Sequence, residues 1–337
     1  MENIKIDFLT KDYDYAITLT KNILYHSPNI SISILEEEDE IDESNFLICD
    51  YNCLCSKMDC YFVENADAKS EEGIYRYGQI KEIIGQIIYN YTIKSGHRIC
   101  SFNNTSTKII SVISGSGGVG VTSTSIGIGR ELAEFNKSKC LYINLNSIST
   151  DDPFFDKITD IKSLDFYLYY IINKNDEMNY CFDAFTISDD VGLMSFYDTN
   201  DLNTLTKIST DEYQEFLDII IGTNYFDYII IDCGNNINEK TIYSMVQSNI
   251  VYYYKTNNKI NYDSRVISLL ESHLQTTNNK LVPIIRRHKD EEGEFTKGDY
   301  IWHDDESFVQ KGNKIMLERH KKFAVSVKEL LEKNKLT

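Results

Sequence analysis

The chain has 337 residues, 42% of them hydrophobic, and a formal net charge of −18 at pH 7. That length allows two domains with a substantial core. The charge argues against broad nucleic-acid binding, which needs a concentrated positive surface.

The opening MENIKIDFLTKDYD has no basic start followed by an apolar core, so it is not read as a signal peptide. No apolar run approaches the ~18 residues of a spanning helix. The expectation is a cytoplasmic protein whose eight cysteines stay reduced.

Residues 4–95 read as a small α/β unit. Strands are expected at Ile4–Leu9, Ile30–Leu35, Asn45–Cys49, Cys60–Val63 and Ile74–Tyr77, with helices at Asp14–Tyr25 and Gln79–Tyr91. In the last helix Ile83, Ile84, Ile87 and Ile88 recur at helical spacing. This order suggests a doubly wound, flavodoxin-like sheet. The acidic run Glu36–Glu40 is a solvated loop. Cys53, Cys55 and Cys60, with Cys49 nearby, lack the paired knuckles of a zinc site, so no metal is expected there.

The strand order resembles the receiver domain of response regulators. Such a domain needs an acidic pair after its first strand and an aspartate after its third. Asp50 stands at the acceptor position, but the pair positions hold Thr10 and Lys11, with Asp12 one residue late. The resemblance implies a degenerate receiver used for contacts, not for phosphoryl transfer.

Residues 96–107, SGHRICSFNNTS, read as a linker, which makes 108–337 the second domain. Lys108–Ser114 is a β-branched strand. Gly115-Ser116-Gly117-Gly118-Val119-Gly120-Val121-Thr122 follows, and Ser123–Lys137 reads as a helix. Strand, glycine-rich turn and helix place N–H donors and a helix N-terminus around a phosphate. The spacing fits G-x-x-x-x-G-K-[ST] except that Val121 stands for the lysine. The alternative is a glycine-rich turn that only packs a helix on a sheet.

Strands are expected further on at Cys140–Leu145, Val191–Phe196, Phe226–Cys233, Ile250–Lys255 and Leu281–Arg286. Helices are expected at Ser163–Asn173, Thr210–Ile221, Glu239–Gln247, Ser264–Leu274 and Arg319–Lys333, with 288–314 irregular. Continuous apolar strands imply a mainly parallel sheet covered on both faces. The last helix carries a basic face beside Phe323, Val327, Leu330 and Leu331, read as a docked helix with at most peripheral membrane contact.

SGSGGVGVTS resembles the deviant Walker A box of the MinD/ParA superfamily, whose usual form is KGGxGKT. Ser116 and Val121 stand at the two lysine positions, a double loss that resembles the TadZ/CpaE branch with its receiver-like front domain. FDYIIIDCG resembles the family segment with Asp227, Asp232 and Gly234. The resemblance implies ATP held by residues Gly115, Ser116, Gly117, Gly118, Val119, Gly120, Val121, Thr122 and Ser123, with Mg²⁺ supported by Thr122 and Asp232.

In that family a D-x-D segment orients water; here Asn144 and Asn146 replace both carboxylates. An amide carries no charge and is a poor proton acceptor. Binding with little or no hydrolysis is therefore expected, with no catalytic residue assigned. The resemblance further implies a homodimer acting as a localisation factor for Flp/Tad (type IV) pilus assembly. It would work with pilus and secretion assembly proteins and be recruited to a cell pole or membrane-associated site. The alternatives are an active ParA/MinD-type positioning ATPase and a nucleotide-free signalling scaffold.

Overall fold

Runs of isoleucine, valine and aromatic residues become parallel strands in both halves of the chain. The computed structural model describes residues 4–26, 30–65, 73–78, 80–95, 107–135, 137–148, 154–155, 162–173, 182–198, 202–255, 260–274, 280–287, 299–303, 307–311, 314–318 and 320–336. Most of the linker read at 96–107 lies outside them. The chain forms two compact units, Met1–Ser101 with Ile158–Thr186, and Phe102–Lys157 with Ile187–Thr337.

In the first unit Ile4–Leu9 (β1) leads through Tyr13–His26 (α1) to Ile30–Leu35 (β2). Phe46–Cys49 (β3), Cys60–Val63 (β4), Gly73–Tyr75 (β5) and Ile80–Ser95 (α2) follow. The strands lie in the order β2-β1-β3-β4-β5, and each neighbouring pair is parallel. This is the flavodoxin-like order, whose switch point falls between β1 and β3. β2 shows why an edge strand alternates: Ile30 is buried while Ser31 and Ser33 are exposed. A 3₁₀ turn at Glu38–Glu40, not a helix, stands between β2 and β3.

The second unit opens with Lys108–Ser114 (β6), Val121–Phe135 (α3) and Cys140–Asn144 (β7). The chain then supplies Leu164–Ile172 (α4) and Phe182–Phe185 (α5) to the first unit. The sequence reading closed that unit at residue 95, and the reason for the difference is aromatic packing. Tyr167, Phe182 and Phe185 are fully buried, Phe185 meets Tyr89 of α2 edge-on at 6.2 Å, and the Tyr89 and Tyr170 hydroxyls are 2.7 Å apart.

Thr186–Ser188 (β8), Leu193–Phe196 (β9), Thr204–Lys207 (α6), Thr210–Gly222 (α7), Tyr228–Asp232 (β10) and Glu239–Gln247 (α8) come next. Ile250–Lys255 (β11), Ile260–Leu274 (α9), Lys280–Arg287 (β12), Tyr300–Trp302 (β13), Phe308–Lys311 (β14), Lys314–Leu317 (β15) and Lys322–Lys333 (α10) complete the unit. Its sheet has the order β13-β12-β11-β6-β10-β7-β9-β8. The pairings from β13 to β9 are parallel.

Every residue of β7 and β10 is buried, so side chains on both faces of the sheet are covered. Part of the stretch read as irregular forms β13 and β14, and β14 pairs with β15 as an antiparallel hairpin. Phe323, Val327, Leu330 and Leu331 of α10 are buried and not offered to a membrane. Among the described residues no helix is long and apolar enough to cross one.

Candidate phosphate-loop site

Parallel register brings the site together. In the pairing of β10, Asp232 lies opposite Val112 of β6 and Asn144 of β7. The loop after β6, the carboxylate ending β10 and the amide ending β7 thus share the carboxyl edge of the sheet. Crevices outside that edge are where open α/β sheets take ligands.

The loop spans residues 115–120, and α3 starts at Val121, two residues before the sequence-derived start. Val121, Thr122 and Ser123 occupy its first turn. Gly118 and Gly120 have φ of 74° and 104°, values that L side chains rarely adopt. Ser116, Gly117, Gly118, Gly120, Val121, Thr122 and Ser123 line a cavity of about 330 Å³ together with Asn146, Gly234, Asn235, Arg286 and His303. Gly115 and Val119 belong to the loop but not to the lining.

Thr122 and Asp232, the two residues assigned to metal support, are in contact. The Thr122 hydroxyl donates to Asp232 Oδ2 at 2.5 Å. Tyr142 Oη and Asn146 Nδ2 donate to the same oxygen at 3.0 Å each, and the Gly234 N–H donates to Oδ1 at 2.9 Å. Each carboxylate oxygen has two lone-pair sites, so Oδ2 is crowded by three donors while Oδ1, with one, keeps a site for a further donor.

Asp232 is fully buried. Burial raises its pKa above the ordinary carboxylate range, against the four hydrogen bonds that lower it. The donor set fits Mg²⁺ in one respect. A hydroxyl whose proton goes to Asp232 keeps oxygen lone pairs for a cation at the cavity wall. Mg²⁺ characteristically takes one or two protein oxygens and completes its shell with water and phosphate. Among the described residues no group of three His, Cys, Asp or Glu side chains could hold a metal by itself.

The amide pair has a structural part. Asn144 Oδ1 accepts from Asn146 N at 2.8 Å and from Asn146 Nδ2 at 2.7 Å. Asn203 Nδ2 donates to the Asn144 and Asn146 carbonyls. Asn146 is thereby aimed at Asp232, and among the described residues the cavity lining holds no carboxylate to take a proton from water. Asp227, also part of the resemblance, immediately precedes β10 and accepts from the Lys139 N–H at 2.8 Å. It ties strands together and is not in the cavity lining.

Two lining residues were not found by sequence reasoning. Arg286, near the end of β12, donates from Nη1 to the Gly118 carbonyl at 2.5 Å. His303 follows β13, inside the stretch read as irregular. Its ring packs edge-on to Phe323 at 5.3 Å, and its Nε2 is 3.1 Å from the Tyr254 hydroxyl, which is 2.5 Å from Thr124 Oγ1. A Cβ on Gly120 would stand 2.0 Å from the His303 ring. Only the doubled arginine ending an apolar strand hints at either residue in the sequence.

In the first unit, the switch-point position is filled from within. Asp50 and Arg76 are both buried. Thr10 Oγ1 donates to Asp50 Oδ2 at 2.8 Å, Arg76 Nη1 lies 3.5 Å from the same oxygen, and Arg76 Nη2 pairs with Asp12 at 2.7 Å. The guanidinium sits 3.9 Å from the centre of the Tyr15 ring. Cys49, Cys53, Cys55 and Cys60 are not joined in disulfides. The Cys49 and Cys55 sulfurs are 3.7 Å apart, and burial first, then Cys55, pushes the Cys49 thiol up to about 12.

No protein-family model matches the chain, and no curated protein does. Among solved structures it is similar to a plasmid partition protein from Borrelia burgdorferi B31 bound to AMPPNP, at 17% identity and a TM-score of 0.47 over 69% of this chain and 100% of that one. It is similar to a ParA family ATPase from Chlorobium tepidum at 12% identity and a TM-score of 0.44, over 69% and 93% of the two chains. It is also similar to the MinD cell division protein of Aquifex aeolicus, at 21% identity and a TM-score of 0.36 over 54% and 70%. The solved structures it is similar to thus include ParA- and MinD-type proteins, and the chain itself has an α/β fold with a mainly parallel sheet.

Proposed function

We propose that the chain binds ATP with Mg²⁺ through residues 115–123, Thr122 and Asp232, and uses the bound state for positioning rather than for chemical work. The observation that carries this reading is the Thr122–Asp232 contact beside a glycine loop that lacks both lysines. Thr122 would meet the cation, and Asp232 would orient Thr122 and metal-bound water. Backbone N–H groups and the α3 N-terminus would meet the phosphates.

Phosphoryl transfer depends on positioning plus electrostatic stabilisation. Losing one such charge commonly costs about 10²–10³ in rate. Val121, Ser116 and the Asn144/Asn146 pair together support slow or absent hydrolysis.

On this reading the chain is a TadZ/CpaE-like localisation factor for Flp/Tad pilus assembly. It is cytoplasmic, homodimeric and recruited to its assembly site by pilus or secretion proteins. Residues 1–95, joined by the 158–186 segment, would form the degenerate receiver-like part, and the rest of 108–337 the nucleotide-binding part. The strand order of the first unit and Asp50 at the end of β3 support the receiver likeness. The Arg76 side chain, held where a receiver would admit a cation, supports a contact role without phosphorylation.

The test is a thermal-shift titration with Mg²⁺-ATP beside a phosphate-release assay. A raised melting temperature with release at background is the expected pair of results. Release at ordinary ATPase rates would favour the active positioning ATPase. No shift at millimolar ATP would favour the nucleotide-free scaffold. Ser116 cannot reach a partner's phosphate as the family lysine does. A dimer should therefore persist without nucleotide in light scattering, and a strictly ATP-dependent dimer would contradict this.

A further inference from the structure

The loop lacks both of its own cations, yet one stands over it. Arg286 comes from β12, two strands from β6 in the sheet order, and reaches the Gly118 carbonyl with Nη1. It lines the same cavity as Ser116, Gly117 and Thr122. A guanidinium has five N–H donors. Here Gly118 takes one, Nε is buried without a hydrogen-bond partner, and among the described residues no carboxylate lies in ion-pair range of Arg286.

A buried charged-group donor left unmatched is costly. The group that would match it is an anion in the cavity. A planar fork suits the two oxygens of a phosphate better than an ammonium does. His303 closes the wall beside Gly120 and makes that side of the cavity less open to water.

We propose that Arg286 is the phosphate-recognising cation of this site, supplied from β12 in place of the loop lysines. The proposal rests on the nucleotide-binding reading and extends it to a residue outside the loop. The contact with Gly118 is its resting position. With nucleotide bound, the remaining donors engage the phosphate chain while the backbone bond fixes the loop. The site is thus specific for a polyphosphate and not for a nucleoside as such.

The experiment uses the full chain and measures Mg²⁺-ATP affinity by calorimetry for the parent, Arg286→Gln and Arg286→Lys. Pyrophosphate is tested as a competitor in each, and the unliganded melting temperature is recorded for all three. Arg286→Gln should weaken Mg²⁺-ATP about 10–100-fold, the range for a hydrogen bond to a charged group, and weaken pyrophosphate in parallel. Arg286→Lys, which keeps charge and loses the fork, should fall between and retain the parent's melting temperature.

Equal ATP affinity in all three proteins would overturn the proposal and leave the nucleotide-binding reading standing. Loss of ATP affinity with pyrophosphate competition unchanged would also overturn it, since Arg286 would then read the base. A parent that binds neither ATP nor pyrophosphate would sink both readings together.

Discussion

At the residue scale, Asp232 is governed by burial. Its folded pKa is raised, so the folded state holds the proton more tightly than the unfolded chain does. The stability this contributes is full below the unfolded value and is lost as pH rises through the folded one. Asp232→Asn removes that slope. The melting temperature of the parent relative to Asp232→Asn should therefore fall as pH climbs out of the ordinary carboxylate range. A parent that gains on the variant with rising pH would mean that the four hydrogen bonds outweigh burial.

Arg76 poses the complementary case. Arg76→Ala leaves the Asp50 carboxylate buried without its cation and should cost about 3–5 kcal/mol, read as a lower midpoint in urea unfolding. A loss below about 1 kcal/mol would mean that the Thr10 hydroxyl and the Tyr51 N–H satisfy Asp50 without the cation. Glycine 120 requires care in mutagenesis, because His303 already stands where its side chain would go. A bulky residue there disturbs the protein before any phosphate arrives.

At the scale of elements, the strand–loop–helix from β6 to α3 was legible because its signals are local. A β-branched run, clustered glycines and an amphipathic period each act within a few residues. The carboxyl-edge position of Asp232 was legible for the same reason, since three isoleucines precede it. Arg286 and His303 were not, because their approach to the loop depends on strand order, which no local pattern encodes. The packing of α3 was equally hidden. A Cβ on Gly127 would lie 2.8 Å from the Phe323 ring of α10, so these helices touch through a missing side chain. Gly127→Val should cost about 1–3 kcal/mol through overpacking, and Phe323→Leu in the same chain should return part of it. If Gly127→Val melts at the parent's temperature, the close approach of the two helices is wrong.

At the scale of the whole molecule, the first unit is discontinuous in sequence. Composition gave no sign of this, because α4 and α5 are apolar and tyrosine-rich like many segments of either unit. What assigns them is long-range aromatic packing on α2. A fragment ending at residue 101 should therefore lack part of its core. It should bind a dye for exposed apolar surface more strongly than the full chain does. A fragment that matched the full chain in dye binding and cooperative unfolding would show that α4 and α5 are dispensable.

The same discontinuity sets an order of events during synthesis. The first unit starts the chain, yet its last pieces lie beyond residue 157, after β6, α3 and β7 have been made. Chains grow at about 5–20 residues per second, so α2 waits on the order of ten seconds for the aromatic side chains that cover it. During that interval the part of α2 around Tyr89 lacks the cover of Tyr170 and Phe185, and a chaperone acting on the nascent chain can reach it.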